Sequence, residues 1–152
     1  INLAEQNNVN LIFPTDARVS KTLQDDPNAI NKNLDQIDPD DMILDLGIKS
    51  SKIIGDLLAD AKTVIWNGPL GAIEFKPFEE ATVYVAKILA KMCLENNTSV
   101  VVGGGDTIYG INIADTYNSY THVSTGGGAF LEWLEGKELP GVRAVIDNKE
   151  GG

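Results

Sequence analysis

One cysteine, one histidine and only 12 Lys and Arg residues stand against 22 Asp and Glu in this chain, and nowhere is there a long apolar run. Each scarcity excludes something. With Cys93 alone there is no internal disulfide framework, and the simplest redox context is a reducing one. Cys93 falls in a helical pattern and is read as a core or boundary thiol, because a reactive role would need a nearby base or cation and the lone His122 lies in another segment. His122 is read as structural. A net charge of −10 argues against a nucleic-acid backbone or an anionic membrane surface as partner. No stretch approaches the roughly 20 apolar residues a bilayer demands, and the first residues lack the charged start and apolar centre of a secretion signal. A soluble, cytoplasmic protein is expected, in which the sequons around Asn96-Asn97-Thr98-Ser99 carry no meaning.

What is present is enough for one core: 152 residues, 43% of them apolar, with no solenoid repeat and no low-complexity segment. Strand and helix patterns alternate after residue 40. Met42-Ile43-Leu44-Asp45 reads as a short buried strand, and Ile53, Ile54, Leu57, Leu58 and Ala61 then recur at helical spacing. Lys62 to Trp66 is the next strand. Pro77 is placed at the start of a longer helix with Phe78, Thr82, Val85, Leu89 and Met92 as its core stripe and Asn96-Asn97 as its end. Ser99 to Val102 and Thr121 to Ser124 are β-branched runs, each leading into glycines. Repeated strand-helix units imply a parallel sheet whose ligands sit beyond the carboxyl ends of its strands. Before residue 40, Asn10 to Phe13 reads as a strand, Asp25-Asp26-Pro27-Asn28 as the turn of an edge hairpin, and Ile1 to Gln6 as the end of a helix.

Two strand-to-helix turns carry the chemistry: Gly103-Gly104-Gly105-Asp106-Thr107 and Thr125-Gly126-Gly127-Gly128. Glycines there let the backbone bend tightly so that the first amides of the next helix face an anion, for which phosphate is the natural guest. A single such turn is as easily a plain tight turn; two on one sheet edge favour a site. Neither is a dinucleotide fingerprint, since Ile108 stands where the third glycine belongs and Gly110 comes two positions late. Neither ends in the Gly-Lys-Ser/Thr of a Walker loop. Asp106 suits a helix cap, which alone could explain it. A carboxylate among phosphate-facing amides would also repel the ligand unless a cation intervened, so Asp106 is assigned to Mg²⁺, with Thr107 offering hydroxyl and amide to a phosphate oxygen. No Lys or Arg occurs from Thr63 to Glu74, Val100 to Ile113 or Thr121 to Glu135, so the cations that phosphoryl transfer needs must come from elsewhere.

Asn67-Gly68-Pro69-Leu70-Gly71 puts a turn at the end of a strand, with Asn67 offering both a donor and an acceptor. Glu74, between Ile73 and Phe75, reads either as a solvated loop carboxylate or as an acceptor for ribose hydroxyls at the lip of a base pocket.

Together, Trp66-Asn67-Gly68-Pro69, the two glycine turns, Met42 to Gly47 and Gly136-Lys137-Glu138-Leu139-Pro140-Gly141 resemble phosphoglycerate kinase in order and spacing, over most of residues 10 to 145. The forms of Met42 to Asp45 and Gly128 to Glu132 look more bacterial than animal. The resemblance implies a glycolytic kinase that moves a phosphoryl group reversibly between 1,3-bisphosphoglycerate and Mg-ADP, giving 3-phosphoglycerate and Mg-ATP. It implies an α/β fold, a Rossmann-like three-layer parallel sheet with helices on both faces, lacking its first strands. Residues 1 to 152 would be part of the carboxy-terminal nucleotide-binding domain, without the amino-terminal substrate lobe. Carried over, Leu44, Gly71 and Ala72 line the adenine pocket, Pro69 and Glu74 meet the ribose, and Asn67 reaches the phosphates. Gly104, Gly105 and Thr107 contact the nucleotide phosphates and Asp106 holds magnesium. The catalytic amides near the transferring group are those of Gly126, Gly127 and Gly128.

Family members are usually monomeric and close two lobes around their substrates. Their nucleotide lobe begins earlier, with a Gly-Ala-Lys strand and another glycine turn, and their other lobe supplies the basic patch for 3-phosphoglycerate. The isolated chain is therefore expected to bind nucleotide at most, without turnover. A free-standing regulatory module and a non-binding packing fragment are the alternatives. Ala72-Ile73 in place of a usual Val-Phe pair and the Tyr109 to Tyr120 segment depart from the family pattern, while the spacing from Asp106 to Ser124 keeps it.

Overall fold

In the computed structural model, which describes residues 1–149, the chain forms two units: Ile1–Asp60 with Leu70–Val85, and Ala61–Pro69 with the chain from Ala86 onward.

The first unit is built on an antiparallel sheet of β1 (Asp16–Ser20), β2 (Ile30–Asn33) and β3 (Met42–Leu46) in the order β2-β1-β3. The expected hairpin turn is there: Asp26 accepts the Asn28 amide on its Oδ1 at 2.9 Å and the Ala29 amide on its carbonyl at 3.1 Å. β1 is buried along its whole length, with Arg18 opposite Asp45 and an irregularity in the β3 pairing between Arg18 and Val19. Lys21 and Lys32 bind Asp41 from two sides, fixing the approach to β3, and hold its carboxyl well below the usual range.

Two expectations are corrected here. Helix α1 (Asn2–Gln6) is present, but Asn10 to Phe13 is irregular. Asn8 turns the chain with φ 54°, Pro14 has no amide to give a ladder, and Leu11, Ile12 and Phe13 stay exposed, unpaired with any strand among the described residues. Met42 to Asp45 is a strand, as read, yet it pairs antiparallel with β1 and so lies in a different sheet from the parallel one its strand-helix pattern suggested.

Helix α2 (Ile48–Leu58) starts on Asp16, whose carboxylate accepts the Ser50 amide at 2.8 Å, the Lys49 amide at 3.0 Å and the Ser50 hydroxyl at 2.6 Å. Burial pushes the Asp16 carboxyl up, but these hydrogen bonds outweigh it and leave the group below its ordinary value. Gly47 stands where any Cβ would overlap that carboxylate.

Helix α3 (Glu80–Asn96) carries the chain from the first unit into the second. It begins three residues later than expected, because Pro77 sits in a run of turns closed by Phe78 N–H to Phe75 C=O and Glu80 N–H to Pro77 C=O. Its end at Asn96 is as read, with Asn97 left-handed at φ 53°. Phe78, Thr82, Val85, Leu89 and Met92 are all buried. Cys93 is half-buried on this helix.

The second unit holds the expected parallel sheet, β4 (Thr63–Asn67), β5 (Ser99–Gly103) and β6 (His122–Ser124) in sequential order, flanked by helices. Val100, Val102, Ile111, Leu89 and Ala86 form its core. Tyr120 donates or shares its hydroxyl with Ala86 C=O at 3.0 Å and Thr116 at 2.7 Å, and burial pushes its pKa up to about 12. His122 is exposed on β6. Helices α4 (Gly105–Ile113), α5 (Gly127–Leu134) and α6 (Pro140–Lys149) follow, and no helix among the described residues is long and apolar enough to cross a membrane.

Candidate functional site

Parallel strands β4, β5 and β6 end at the same level: the pairing of Asn67 with Gly103 and of Gly103 with Ser124 brings three loops to one sheet edge. Each loop uses glycine for a reason that can be measured. Gly104 has φ +94°, a conformation L side chains rarely adopt, and a Cβ there would lie 2.7 Å from Asn67 Oδ1. A Cβ on Gly127 would lie 2.5 Å from the Gly104 nitrogen and 2.6 Å from its Cα. The two glycine turns therefore touch backbone to backbone, with the Gly104 amide also donating to Ser124 C=O at 3.4 Å. Gly105, Gly126 and Gly128, by contrast, face open space.

Those contacts leave amides free. The first intrahelical bond of α4 is Ile108 N–H to Gly104 C=O, and that of α5 is Phe130 N–H to Gly126 C=O. Among the described residues no protein acceptor meets the amides of Gly105, Asp106 and Thr107, nor those of Gly127, Gly128 and Ala129. These unpaired donors stand at two adjoining helix starts, each carrying the positive end of a helix dipole, which is a donor set of the kind that binds anions. The Asp106 carboxylate is exposed in the first turn of α4 and accepts no hydrogen bond among the described residues, so the capping explanation finds no support. A free carboxylate of this kind is one that could hold a divalent cation.

Thr107 is fully buried, and its Oγ1 accepts the Gly68 amide at 2.7 Å, so its hydroxyl oxygen ties the β4 loop to the glycine turn while its own proton and its amide have no protein acceptor among the described residues. Asn67 is exposed, with Oδ1 about a van der Waals contact from the glycine turns: 3.1 Å from a Cβ built on Gly127 and 3.7 Å from one on Gly103. Trp66 closes the same loop from beneath, donating Nε1–H to Gly68 C=O at 2.7 Å. Asn67, Gly104, Gly105, Asp106, Thr107, Gly126, Gly127 and Gly128 are thus together, and Pro69 follows the same turn.

Leu44, Gly71, Ala72 and Glu74 belong to the first unit. The Leu44 carbonyl accepts the Ala72 amide at 2.7 Å, and the Leu44 side chain is buried. A Cβ on Gly71 would overlap the Asp45 carboxylate and the Phe78 carbonyl. Glu74 is exposed between buried Ile73 and half-buried Phe75. Asp45 carries no motif of its own; its one mark in the sequence is a lone carboxylate inside the apolar stretch Met42 to Leu46.

A family model described as phosphoglycerate kinase matches residues 1–137. The chain belongs to the phosphoglycerate kinase family. It is 45% identical over 135 residues to the phosphoglycerate kinase of Chelativorans sp. strain BNC1, covering 89% of this chain and 34% of that protein. With the phosphoglycerate kinase of Maricaulis maris it shares 41% over 147 residues, covering 97% and 36%. The structure of phosphoglycerate kinase from Coxiella burnetii superposes with a TM-score of 0.84 at 37% identity, over 93% of this chain and 36% of that one. The chain spans about a third of the length of the phosphoglycerate kinases it matches.

Proposed function

We propose that this chain is the nucleotide-binding portion of a phosphoglycerate kinase, holding Mg-ADP or Mg-ATP for reversible phosphoryl exchange with 1,3-bisphosphoglycerate and 3-phosphoglycerate in glycolysis. The observation that carries the reading is the set of six free amides at the adjoining starts of α4 and α5, beside an exposed Asp106. Amides of Gly105, Asp106 and Thr107 bind the nucleotide phosphates, and those of Gly126, Gly127 and Gly128, with the adjoining Ala129 amide, face the phosphoryl group in transfer. Gly104 and Gly126 shape the two turns, and Asn67 lies against them with a donor to spare. Leu44, Gly71 and Ala72 take the purine, and Pro69 and Glu74 the ribose. Magnesium, when bound through Asp106, would neutralise charge on the phosphate oxygens.

In the ATP-forming direction an ADP oxygen displaces the acyl carboxylate from phosphorus: one P–O bond forms, another breaks, and 3-phosphoglycerate leaves with the electron pair. Its acceptor in reverse is already an ionised carboxylate, so no general base is required and positioning with charge stabilisation suffices. The stretches around the turns contain no Lys or Arg, so the second substrate and the cationic side chains are assigned to the rest of the family's polypeptide. The family's soluble, monomeric habit makes a cytoplasmic location part of the same reading.

Amide chemical shifts test this. Adding Mg-ADP to ¹⁵N-labelled chain should move the resonances of Gly105, Asp106, Thr107, Gly127, Gly128 and Ala129 saturably. Shifts confined to other segments would refute the assignment.

A further inference from the structure

We propose that Asp45 is a positioning residue that holds the 70–79 loop in its purine-receiving shape, so that it sets affinity for the base end of a nucleoside diphosphate without touching the phosphates. The proposal rests on the nucleotide reading above.

Asp45 is 2% exposed at the centre of the first unit. Its Oδ2 accepts the Ala81 amide at the start of α3 at 3.0 Å, and its Oδ1 accepts the Leu46 amide at 2.8 Å. One carboxyl oxygen thus fixes the far end of the loop, while the other lies where only a glycine at position 71 leaves room for it. The neighbouring Leu44 carbonyl holds Ala72. Opposite, the β1–β2 connection grips the loop at Lys76, whose amide donates to Asp25 Oδ1 at 2.8 Å and whose carbonyl accepts the Asp26 amide at 2.9 Å. Of these anchors only Asp45 is a buried ionisable group reaching from strand β3 to both the Gly71 turn and the α3 start.

The charged groups facing it are Arg18 on β1 and Glu80 on α3, which pair with each other at 2.7 Å. Burial raises the Asp45 pKa to about 7; the Ala81 and Leu46 amides and Arg18 offset part of that rise, and Glu80 adds to it. Asn at this position keeps the volume but offers one acceptor where two amides point, which leaves a donor against a donor.

The test pairs two ligands with two measurements. In Asp45→Asn at pH 8, Mg-ADP affinity should fall about tenfold while Mg-pyrophosphate affinity stays within about twofold, the fold being checked by the amide spectrum. In the wild type, the Ala81 and Leu46 amide shifts should titrate together near pH 7, a step absent from the variant. Equal losses for both ligands, or no loss in a folded variant, would overturn the proposal. Should the variant not fold, the wild type decides: Mg-ADP should move the Ala72, Ala81 and Leu46 amide resonances while Mg-pyrophosphate leaves them in place, and movement by both ligands, or by neither while both bind, would overturn the proposal. Failure of the wild type to bind either ligand defeats the nucleotide reading instead, and is seen separately from the amide titration.

Discussion

Gly127 and Gly128 are neighbours with opposite constraints. Alanine at Gly127 drives its methyl into the Gly104 backbone, which cannot yield as a side chain could. Gly127→Ala should cost about 1–3 kcal/mol in urea unfolding through that overpacking. Alanine at Gly128 meets nothing within 4 Å and sits in the first turn of a helix, so Gly128→Ala should be neutral or more stable by up to about 1 kcal/mol. If phosphate approaches this amide closely, the same variant should nonetheless weaken Mg-ADP. Thr107 gives a third test at this scale. Thr107→Val keeps the shape but removes the acceptor of the Gly68 amide, and should cost about 1–3 kcal/mol, whereas Thr107→Ser should recover most of it. Aspartates 16 and 45 predict pH effects of opposite sign. Asp16 is depressed, so its contribution is present above the unfolded value and is lost as pH falls through its folded pKa. Asp45 is raised to about 7, so the folded state binds its proton more tightly than the unfolded one. Its share of stability is greatest at low pH and declines from about pH 4 to about pH 7. Urea midpoints over that interval should therefore decline in the wild type relative to Asp45→Asn; parallel profiles would contradict the raised value.

At the scale of elements, local pattern and long-range pairing separate. The β-branched run from Ser99, the glycines after it and the buried stripe Phe78, Thr82, Val85, Leu89 and Met92 are set by neighbours in sequence, and all could be read from it. Partner choice could not. Met42 to Leu46 is apolar enough for either sheet, and its antiparallel partner β1 lies more than twenty residues earlier in a stretch with little alternation. Asn10 to Phe13 has strand-forming residues but no strand to pair with. Pro77 suits a first helical residue, but α3 starts at Glu80 because the donor that fixes its start, Ala81 N–H, answers to Asp45 36 residues away. The glycine turns were legible because their purpose is written in consecutive residues. The Thr107 link was not, since a threonine after Asp106 carries no mark of the loop it binds.

For the molecule as a whole, the charge distribution decides what the chain can do unaided. Net charge is −10, and the stretches that form the turns hold no Lys or Arg. Amides and helix ends can hold a polyphosphate with its metal, but a phosphoryl group in flight needs added positive charge. An ATP-forming coupled assay on the isolated chain should accordingly show no turnover above background, and sustained turnover would require cations that the reading places elsewhere. The chain spans about a third of the phosphoglycerate kinases it matches, with a TM-score of 0.84 to the Coxiella burnetii structure, so the match is to a specific portion of that fold. Calorimetric titration with Mg-ADP, run beside a folded Asp106→Ala variant, tests the central claim most directly. Saturable binding that weakens at least tenfold in the variant is the predicted result; binding by both proteins with equal affinity, or none by the folded wild type, would contradict a metal-assisted phosphate site at the paired glycine turns.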